Sequence, residues 1–214
     1  MSFLEFLQMR SGDMIELGLA HAAVVGLSVV LATVIGVALG ISTYQRERPR
    51  DMVLATTGAF LTIPSFALFI LLLGPLGLGW PPVVVALTLY GLMPVVRNTI
   101  TGLRGVDPAV LEAAKGMGLD RRQRLMRIEL PLAWPVIITG VRVTTLVLLG
   151  IAAIGAIVNG PGYGEFIFTG LARVGTPVAV HLVLAGTLGV MILAVLFDLL
   201  FYSVRRLTTS KGIQ

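Results

Sequence analysis

Five long apolar stretches run through the sequence, and they constrain its fold more than any other feature. They lie at about residues 21–44, 52–73, 82–103, 135–158 and 178–204, and each contains at most one charged residue. A helix needs about 20 apolar residues to cross the hydrocarbon core of a bilayer. The chain is therefore predicted to be an all-α membrane protein with five transmembrane helices in a single domain over residues 1–214.

The composition agrees with a membrane protein. Hydrophobic residues make up 56% of the chain and charged residues 13%, against about 25% charged in soluble domains. The chain has no cysteine, which excludes disulfides and thiolate metal sites. Glu5, Arg10, Asp13 and Glu16 interrupt the apolar pattern near the N-terminus. We therefore expect this segment to be retained and not cleaved as a signal peptide.

The positive charges predict the orientation of the chain. Arg10 and Arg173 fall on one side of the predicted membrane, and Arg142 lies within the fourth stretch. The other 13 of the 16 Lys and Arg residues fall in or beside the first loop, the third loop and the C-terminal tail: Arg46, Arg48, Arg50, Arg97, Arg104, Lys115, Arg121, Arg122, Arg124, Arg127, Arg205, Arg206 and Lys211. Because cytoplasmic loops are enriched in such residues, we expect the N-terminus outside and the C-terminus in the cytoplasm. This distribution accounts for the net charge of +5 without a nucleic-acid partner.

The third loop, about residues 104–130, carries local signals for two short helices. Asp107 suits an N-cap position, where its side chain can accept a bond from a free backbone N–H. Gly118 suits the left-handed residue that follows a helix end. Asp120 can cap a second helix over residues 121–129, which we expect to end before the fourth stretch.

An ordered signature lies within this loop. It consists of Glu112-Ala113-Ala114, three residues, Gly118, nine residues, Ile128, one residue, and Leu130-Pro131. This resembles the signature loop of permeases in binding-protein-dependent ABC importers. The resemblance implies a five-span core of the type I importer class in a bacterial or archaeal inner membrane. The same residues alone also fit an amphipathic helix lying at the lipid surface.

In that family the loop docks in a cleft of the ATPase subunit. The resemblance therefore implies a docking surface made by Glu112, Ala113, Ala114, Lys115, Gly116 and Gly118. It also implies ABC ATPase partners, a second permease copy or paralogue, and an extracytoplasmic solute-binding protein. ATP and Mg belong to the ATPase, and this chain itself is expected to hold no cofactor and to be no enzyme. In agreement, no phosphate-binding loop is present, since a Gly-Lys dipeptide never occurs.

Other segments resemble the osmoprotectant permeases, which import glycine betaine, carnitine or choline. They are residues 62–67, residues 140–142, residues 154–157, residues 162–164 and residues 167–170. Residues 159–164 read Asn-Gly-Pro-Gly-Tyr-Gly, where many members have a run closer to Gly-Ala-Gly-Gly-Leu-Gly. An alternative is a permease for methionine or another amino acid, which shares the core and the loop. A channel or an ion-coupled carrier is a third hypothesis, although carriers often show inverted repeats and this sequence shows no convincing repeat.

Polar residues within the stretches suggest where a pathway forms. Pro64 should interrupt the second span, because proline removes one helical hydrogen bond. The hydroxyls of Thr62 and Ser65 could satisfy the freed backbone group. We expect these three residues and Tyr90, a tyrosine placed well inside a span, to line the translocation pathway.

Two intramembrane charges are predicted to meet. Arg142 lies seven residues after Pro135, and Asp198 lies seven residues before Arg205. Each position is about 10 Å deep at 1.5 Å per residue. Intramembrane charges seek partners, so we expect an ion pair. The alternatives are that Arg142 reaches the headgroups, or that Asp198 pairs with a nearby arginine. His21 and His181 fall near the outer ends of spans, where we expect interfacial polar residues and no metal site.

Overall fold

A computed structural model describes residues 2–208, and within them every regular element is a helix. The ten α-helices are α1 (Phe3–Met9), α2 (Ser11–Thr43), α3 (Glu47–Thr62), α4 (Ser65–Leu76), α5 (Trp80–Arg104), α6 (Pro108–Gly116), α7 (Arg121–Arg124), α8 (Leu130–Ile154), α9 (Gly164–Ala172) and α10 (Pro177–Thr208). A π-helical segment, Leu125–Glu129, joins α7 to α8, and a 3-10 turn, Gly155–Val158, follows α8. Lys211, one of the predicted cytoplasmic charges, lies outside the described residues.

Four helices in the described part are long and apolar enough to cross a membrane, and the bent pair α3 and α4 makes up to five spans. The four single helices overlap four of the five predicted stretches, and the structure differs from the prediction at the first and second spans. The first helix begins at Ser11 and not near residue 21, so it includes Asp13 and Glu16. The second predicted span is two helices bent by 98° at Pro64.

Helices α2, α5 and α8 form the centre of the molecule, with a core that includes Val25, Leu87 and Leu148. Two glycines of α2 allow α5 to approach closely. A Cβ on Gly36 would lie 2.8 Å from Cγ1 of Val95. A Cβ on Gly40 would lie 2.6 Å from Cγ2 of Thr99. Small residues permit such close contacts between membrane helices.

A second apolar cluster joins the N-terminal helix to the last two helices. Phe6 of α1, Phe166 of α9, and Leu182 and Ala185 of α10 are all buried there. The N-terminal segment is therefore part of the packed domain, and it holds α9 and α10 together at the end of the molecule opposite to the third loop.

Candidate functional site

The loop between α5 and α8 folds into a helical hairpin, residues 107–124, which we call the loop hairpin. Asp107 caps α6 by accepting a hydrogen bond from the backbone N–H of Ala109, over 2.8 Å. Asp120 caps α7 through a capping box: its Oδ1 accepts from the N–H of Gln123, whose Oε1 accepts from the N–H of Asp120. Both helix starts are thus fixed by side chains within the loop, as predicted.

Gly118 makes the turn between the two helices of the loop hairpin. Its φ is +80°, in the left-handed region that side-chain-bearing residues rarely adopt. The N–H of Leu119 donates to the carbonyl of Ala114, and the N–H of Gly118 donates to that of Lys115. This pair of bonds is a Schellman motif, which satisfies the last carbonyls of α6.

The second helix of the loop differs from the prediction. We expected a short helix that ends near residue 129, but the chain stays helical from Arg121 through Val158. Within it, Leu125–Glu129 is π-helical, and the N–H of Leu130 donates to the carbonyl of Leu125. Pro131, which has no backbone N–H to donate, directly follows this π-helical segment, and the helix continues through it. The loop hairpin is therefore joined directly to a membrane helix.

The signature residues divide between an outward and an inward face. Glu112, Ala113, Lys115, Gly116 and Gly118 are exposed. Ala114 is 1% exposed. Its methyl group therefore packs inward. We had expected Ala114 to be part of the exposed docking surface, and in the single chain it is not. Helical periodicity explains the difference, because neighbouring positions of one helix turn point in different directions.

A buried polar group beneath the loop hairpin was missed from the sequence. Glu129 is 3% exposed, and its Oε2 accepts a hydrogen bond of 2.7 Å from the hydroxyl of Tyr44. Gln45 Nε2 donates to that same hydroxyl over 2.7 Å. Glu129 occupies the unspecified position between Ile128 and Leu130 of the signature. An acidic residue between the apolar residues Ile128 and Leu130 could have indicated this buried hydrogen bond from the sequence.

The four residues that we predicted to line a pathway at the bend between α3 and α4 differ in their exposure to solvent. Thr62 and Pro64 are exposed, and Ser65 is partly exposed. Tyr90 is 4% exposed, and its hydroxyl donates to the carbonyl of Ile63 over 2.8 Å. Tyr90 therefore faces the bend from inside the core and does not line an open surface.

The backbone groups freed by Pro64 are satisfied locally. The N–H of Ile63 donates to the carbonyl of Phe60, and the hydroxyl of Thr62 donates to that of Ala59. Together with the Tyr90 bond, these contacts explain how a 98° bend is tolerated in an apolar chain. The expected contribution of Thr62 is present, and Tyr90 takes the place that we had assigned to Ser65.

Arg142 of α8 and Asp198 of α10 form a two-point ion pair. Arg142 Nε donates to Asp198 Oδ1 over 2.6 Å, and a terminal guanidinium nitrogen donates to Oδ2 over 2.8 Å. The side chains are 38% and 35% exposed in the single chain. The planar guanidinium matches the carboxylate, so the pair fixes the relative position of the two helices.

His21 is buried inside the protein, whereas we expected a polar residue at the membrane interface. It is fully buried, and its Nε2 donates to the carbonyl of Leu149 over 3.0 Å. The backbone N–H of Tyr163 donates to its Nδ1 over 3.3 Å. The imidazole thus joins α2 to α8 and to the segment before α9. No group of three or more His, Asp or Glu side chains that could hold a metal ion occurs within residues 2–208.

A comparison with models of protein families finds one family that matches most of this chain. A family model described as "binding-protein-dependent transport system inner membrane component" matches residues 32–209. The match includes the whole loop hairpin, both bent helices and the Arg142–Asp198 pair.

Three relatives are similar over nearly their whole length. The choline transport system permease protein OpuBB of Bacillus subtilis is 32% identical over 211 residues, covering 99% of this chain and 95% of that protein. The osmoprotectant import permease protein OsmW of Salmonella typhimurium is 35% identical over 220 residues, covering 100% of both chains. The carnitine transport permease protein OpuCD of Listeria monocytogenes is 35% identical over 204 residues, covering 95% of this chain and 90% of that protein.

A solved structure shares the fold. An inward-facing form of the MetNI methionine ABC transporter matches with a TM-score of 0.82, covering 92% of this chain and 96% of that one. The two sequences are 20% identical. At this identity the similarity shows a shared arrangement of helices and does not identify a solute.

Proposed function

The chain belongs to the family of binding-protein-dependent transport system inner membrane components, and we propose that it is the permease subunit of an osmoprotectant importer. The observation that carries the proposal is its full-length similarity to permeases named for choline, carnitine and osmoprotectants. The solute would be a quaternary ammonium compound such as glycine betaine. Methionine is less supported, because that likeness has only 20% identity.

The aromatic residues favour a low-affinity path through this chain. Quaternary ammonium groups are held tightly by cages of aromatic faces. The chain has four Tyr and two Trp. Three of the tyrosines are buried, and their hydroxyls donate to Glu129, Ile63 and Met14. Strong capture would then belong to a separate binding protein, and weak contact in the permease would allow release.

The loop hairpin is our proposed docking element for an ABC ATPase. Its exposed face carries Glu112, Ala113 and Lys115, and a small-residue turn follows at Gly116 and Gly118. The three small residues Ala113, Gly116 and Gly118 leave a slim surface that can enter a cleft. The caps at both helix starts keep this surface rigid, so a force applied by the ATPase would pass into α8.

The proposed membrane orientation follows from the same assignment. If the loop hairpin meets a cytoplasmic ATPase, then the end of α10 lies in the cytoplasm and α1 lies outside. The concentration of Lys and Arg in the loops on the hairpin side supports this orientation. The pathway would form where α3 and α4 bend, between this chain and a second permease copy or paralogue.

Uptake by the reconstituted complex tests the proposed solute. The permease, its ATPase and its binding protein are placed in proteoliposomes, with radiolabelled glycine betaine, choline, carnitine or methionine outside. We expect ATP-dependent uptake of at least one quaternary ammonium compound, and no uptake of methionine. Uptake of methionine alone, or uptake that continues without ATP, would contradict the proposal. Vesicles with a hydrolysis-deficient ATPase are the matched control.

A further inference from the structure

The buried pair Tyr44 and Glu129, with Gln45, connects two helices that are distant in sequence. We call these three residues the polar clasp. Tyr44 directly follows α2, and Glu129 directly precedes α8. Glu129 is 3% exposed and Tyr44 is 7% exposed, so the bond between them is shielded from water. A buried carboxylate is costly unless it is hydrogen-bonded. An apolar residue would serve packing better at this position, so packing alone does not explain the glutamate.

The polar clasp also lies at a local irregularity of the helix. Glu129 is the last residue of the π-helical segment, whose wider turn is closed by the bond from Leu130 N–H to the carbonyl of Leu125. Single-turn π-helical segments inside α-helices are frequent at functional sites. The segment stands between the loop hairpin and the regular part of α8. It is therefore placed where a displacement of the loop hairpin would first bend the chain.

Two cavities border the polar clasp on the side of the loop hairpin. The first, of about 330 Å³, is lined by residues that include Glu129 and Tyr44 and, from α6, Pro108 and Leu111. A second cavity of about 150 Å³ is lined by Glu129, Glu112 and Lys115. Where neighbours do not fill the space, packing contacts are lost. Helix α6 is therefore packed less tightly against the membrane helices on this side.

We propose that the polar clasp is a positioning device that transmits displacement of the loop hairpin to α2 as well as to α8. The backbone already links the loop hairpin to α8 through the π-helical segment. The Tyr44–Glu129 bond adds the link to α2, and α2 packs tightly on α5 at Gly36 and Gly40. All three central helices would then respond together. This inference rests on the proposed coupling role of the loop hairpin.

The number of ATP molecules hydrolysed per solute imported, measured in the reconstituted complex, tests the polar clasp. Tyr44→Phe removes one hydroxyl and keeps the ring, and Glu129→Leu removes the acceptor. Each should raise the ratio by about twofold to tenfold, the change expected when one hydrogen bond is lost. The double variant should be no worse than either single one. Glu129→Gln keeps an acceptor oxygen and should restore a ratio near that of the unaltered protein.

A matched variant and a second readout keep the test decisive if Glu129→Leu folds poorly. Tyr202→Phe makes the same chemical change at a tyrosine of α10 that is 58% exposed, and it should leave the ratio unchanged. Hydrogen exchange of the amides in Leu125–Glu129 should be faster in Tyr44→Phe than in Tyr202→Phe, because the π-helical segment loses its tie to α2. An unchanged ratio in Tyr44→Phe, or effects of the two single variants that multiply, would overturn the proposal.

Comparing Gly118→Val with Tyr44→Phe distinguishes failure of the polar-clasp proposal from failure of the proposed docking role. Gly118→Val distorts the loop hairpin itself, so it tests docking. If Gly118→Val abolishes co-purification of the ATPase while Tyr44→Phe keeps a normal ratio, docking stands and the polar clasp is wrong. If Gly118→Val leaves the complex and its transport intact, docking at the loop hairpin is wrong, and the polar clasp falls with it.

Discussion

Single residues of the loop hairpin have roles set by backbone geometry and by which way they face. Gly118 has φ +80°, and a Cβ at that position would meet no atom within 4 Å. Its requirement for glycine is therefore conformational and not steric. Ala114, four residues earlier, is required to be small because it faces inward. The signature thus combines a turn, an inward-facing contact and an exposed face in one short segment.

Gly118→Val should impair docking of the ATPase. A β-branched residue in the left-handed region is strained by about 1–3 kcal/mol, which should open the turn and displace α6. Co-purification of the ATPase and solute uptake should both fall. Gly26→Val is the control, because Gly26 lies outside the loop hairpin, lacks a positive φ, and a Cβ there would also meet nothing within 4 Å. Equal behaviour of the two variants would contradict this prediction.

At the scale of elements, the molecule depends on how closely its helices approach. Helix α2 touches α5 through Gly36 and Gly40, whereas α8 and α10 are joined by the Arg142–Asp198 pair. The first contact depends on the absence of side-chain atoms, and the second depends on charge and geometry. Each can be disrupted without touching the loop hairpin.

Gly40→Leu should separate α2 from α5 and destabilise the protein. Even a Cβ would lie 2.6 Å from Thr99 Cγ2, so the helices must shift. Overpacking of this kind typically costs about 1–3 kcal/mol. Thermal unfolding of the purified protein in detergent should occur at a lower temperature. Gly26→Leu, on the same helix with no atom within 4 Å of its Cβ position, should change the unfolding temperature little.

Charge reversal should expose the dependence of α8 and α10 on their ion pair. Arg142→Asp and Asp198→Arg each place two like charges together, which should lower the yield of folded protein. Because both side chains are more than a third exposed, the loss should be smaller than the roughly 3–5 kcal/mol seen for a fully buried pair. The double reversal restores opposite charges and should recover part of the yield. If it is as poor as both single changes combined, the pair is not a determinant of assembly.

At the scale of the whole molecule, the bent pair α3 and α4 leaves several residues at its bend exposed in the single chain. Residues on one side of the bend are exposed, including Thr62, Pro64 and Phe66. Residues immediately after it, Leu68 and Phe69, are buried in the core. The proposed pathway between two permease chains would lie along this exposed side of the bend.

Cysteine substitution should map that pathway, and the absence of native cysteine makes the background clean. In the assembled complex, cysteines at positions 62, 64 and 66 should react with a water-soluble thiol reagent in at least one transport state. Cysteines at positions 68 and 69 should stay unreactive, because those side chains are buried. Uniform protection of all five positions in every state would rule out this region as the pathway.

The sequence by itself determined the features that depend on neighbours along the chain. The four apolar helices, the break at Pro64 and the loop hairpin all follow from local hydrophobicity, proline chemistry and capping. The Asp107 cap and the Gly118 turn are closed by bonds within a few residues, so no distant part of the chain was needed to predict them. The matching depths of Arg142 and Asp198 in the membrane were also predicted from the sequence, because they required only the helical rise per residue and the predicted ends of the two spans.

Only the tertiary structure decided the contacts between residues far apart in sequence. Tyr90 meets Ile63 at a separation of 27 residues, Tyr44 meets Glu129 at 85, and His21 meets Leu149 at 128. Each polar side chain was visible in the sequence, but its partner was not, because helix packing sets the rotation of one helix against another. Burial in an apolar surrounding then selects the one arrangement that satisfies every buried donor and acceptor at these sites.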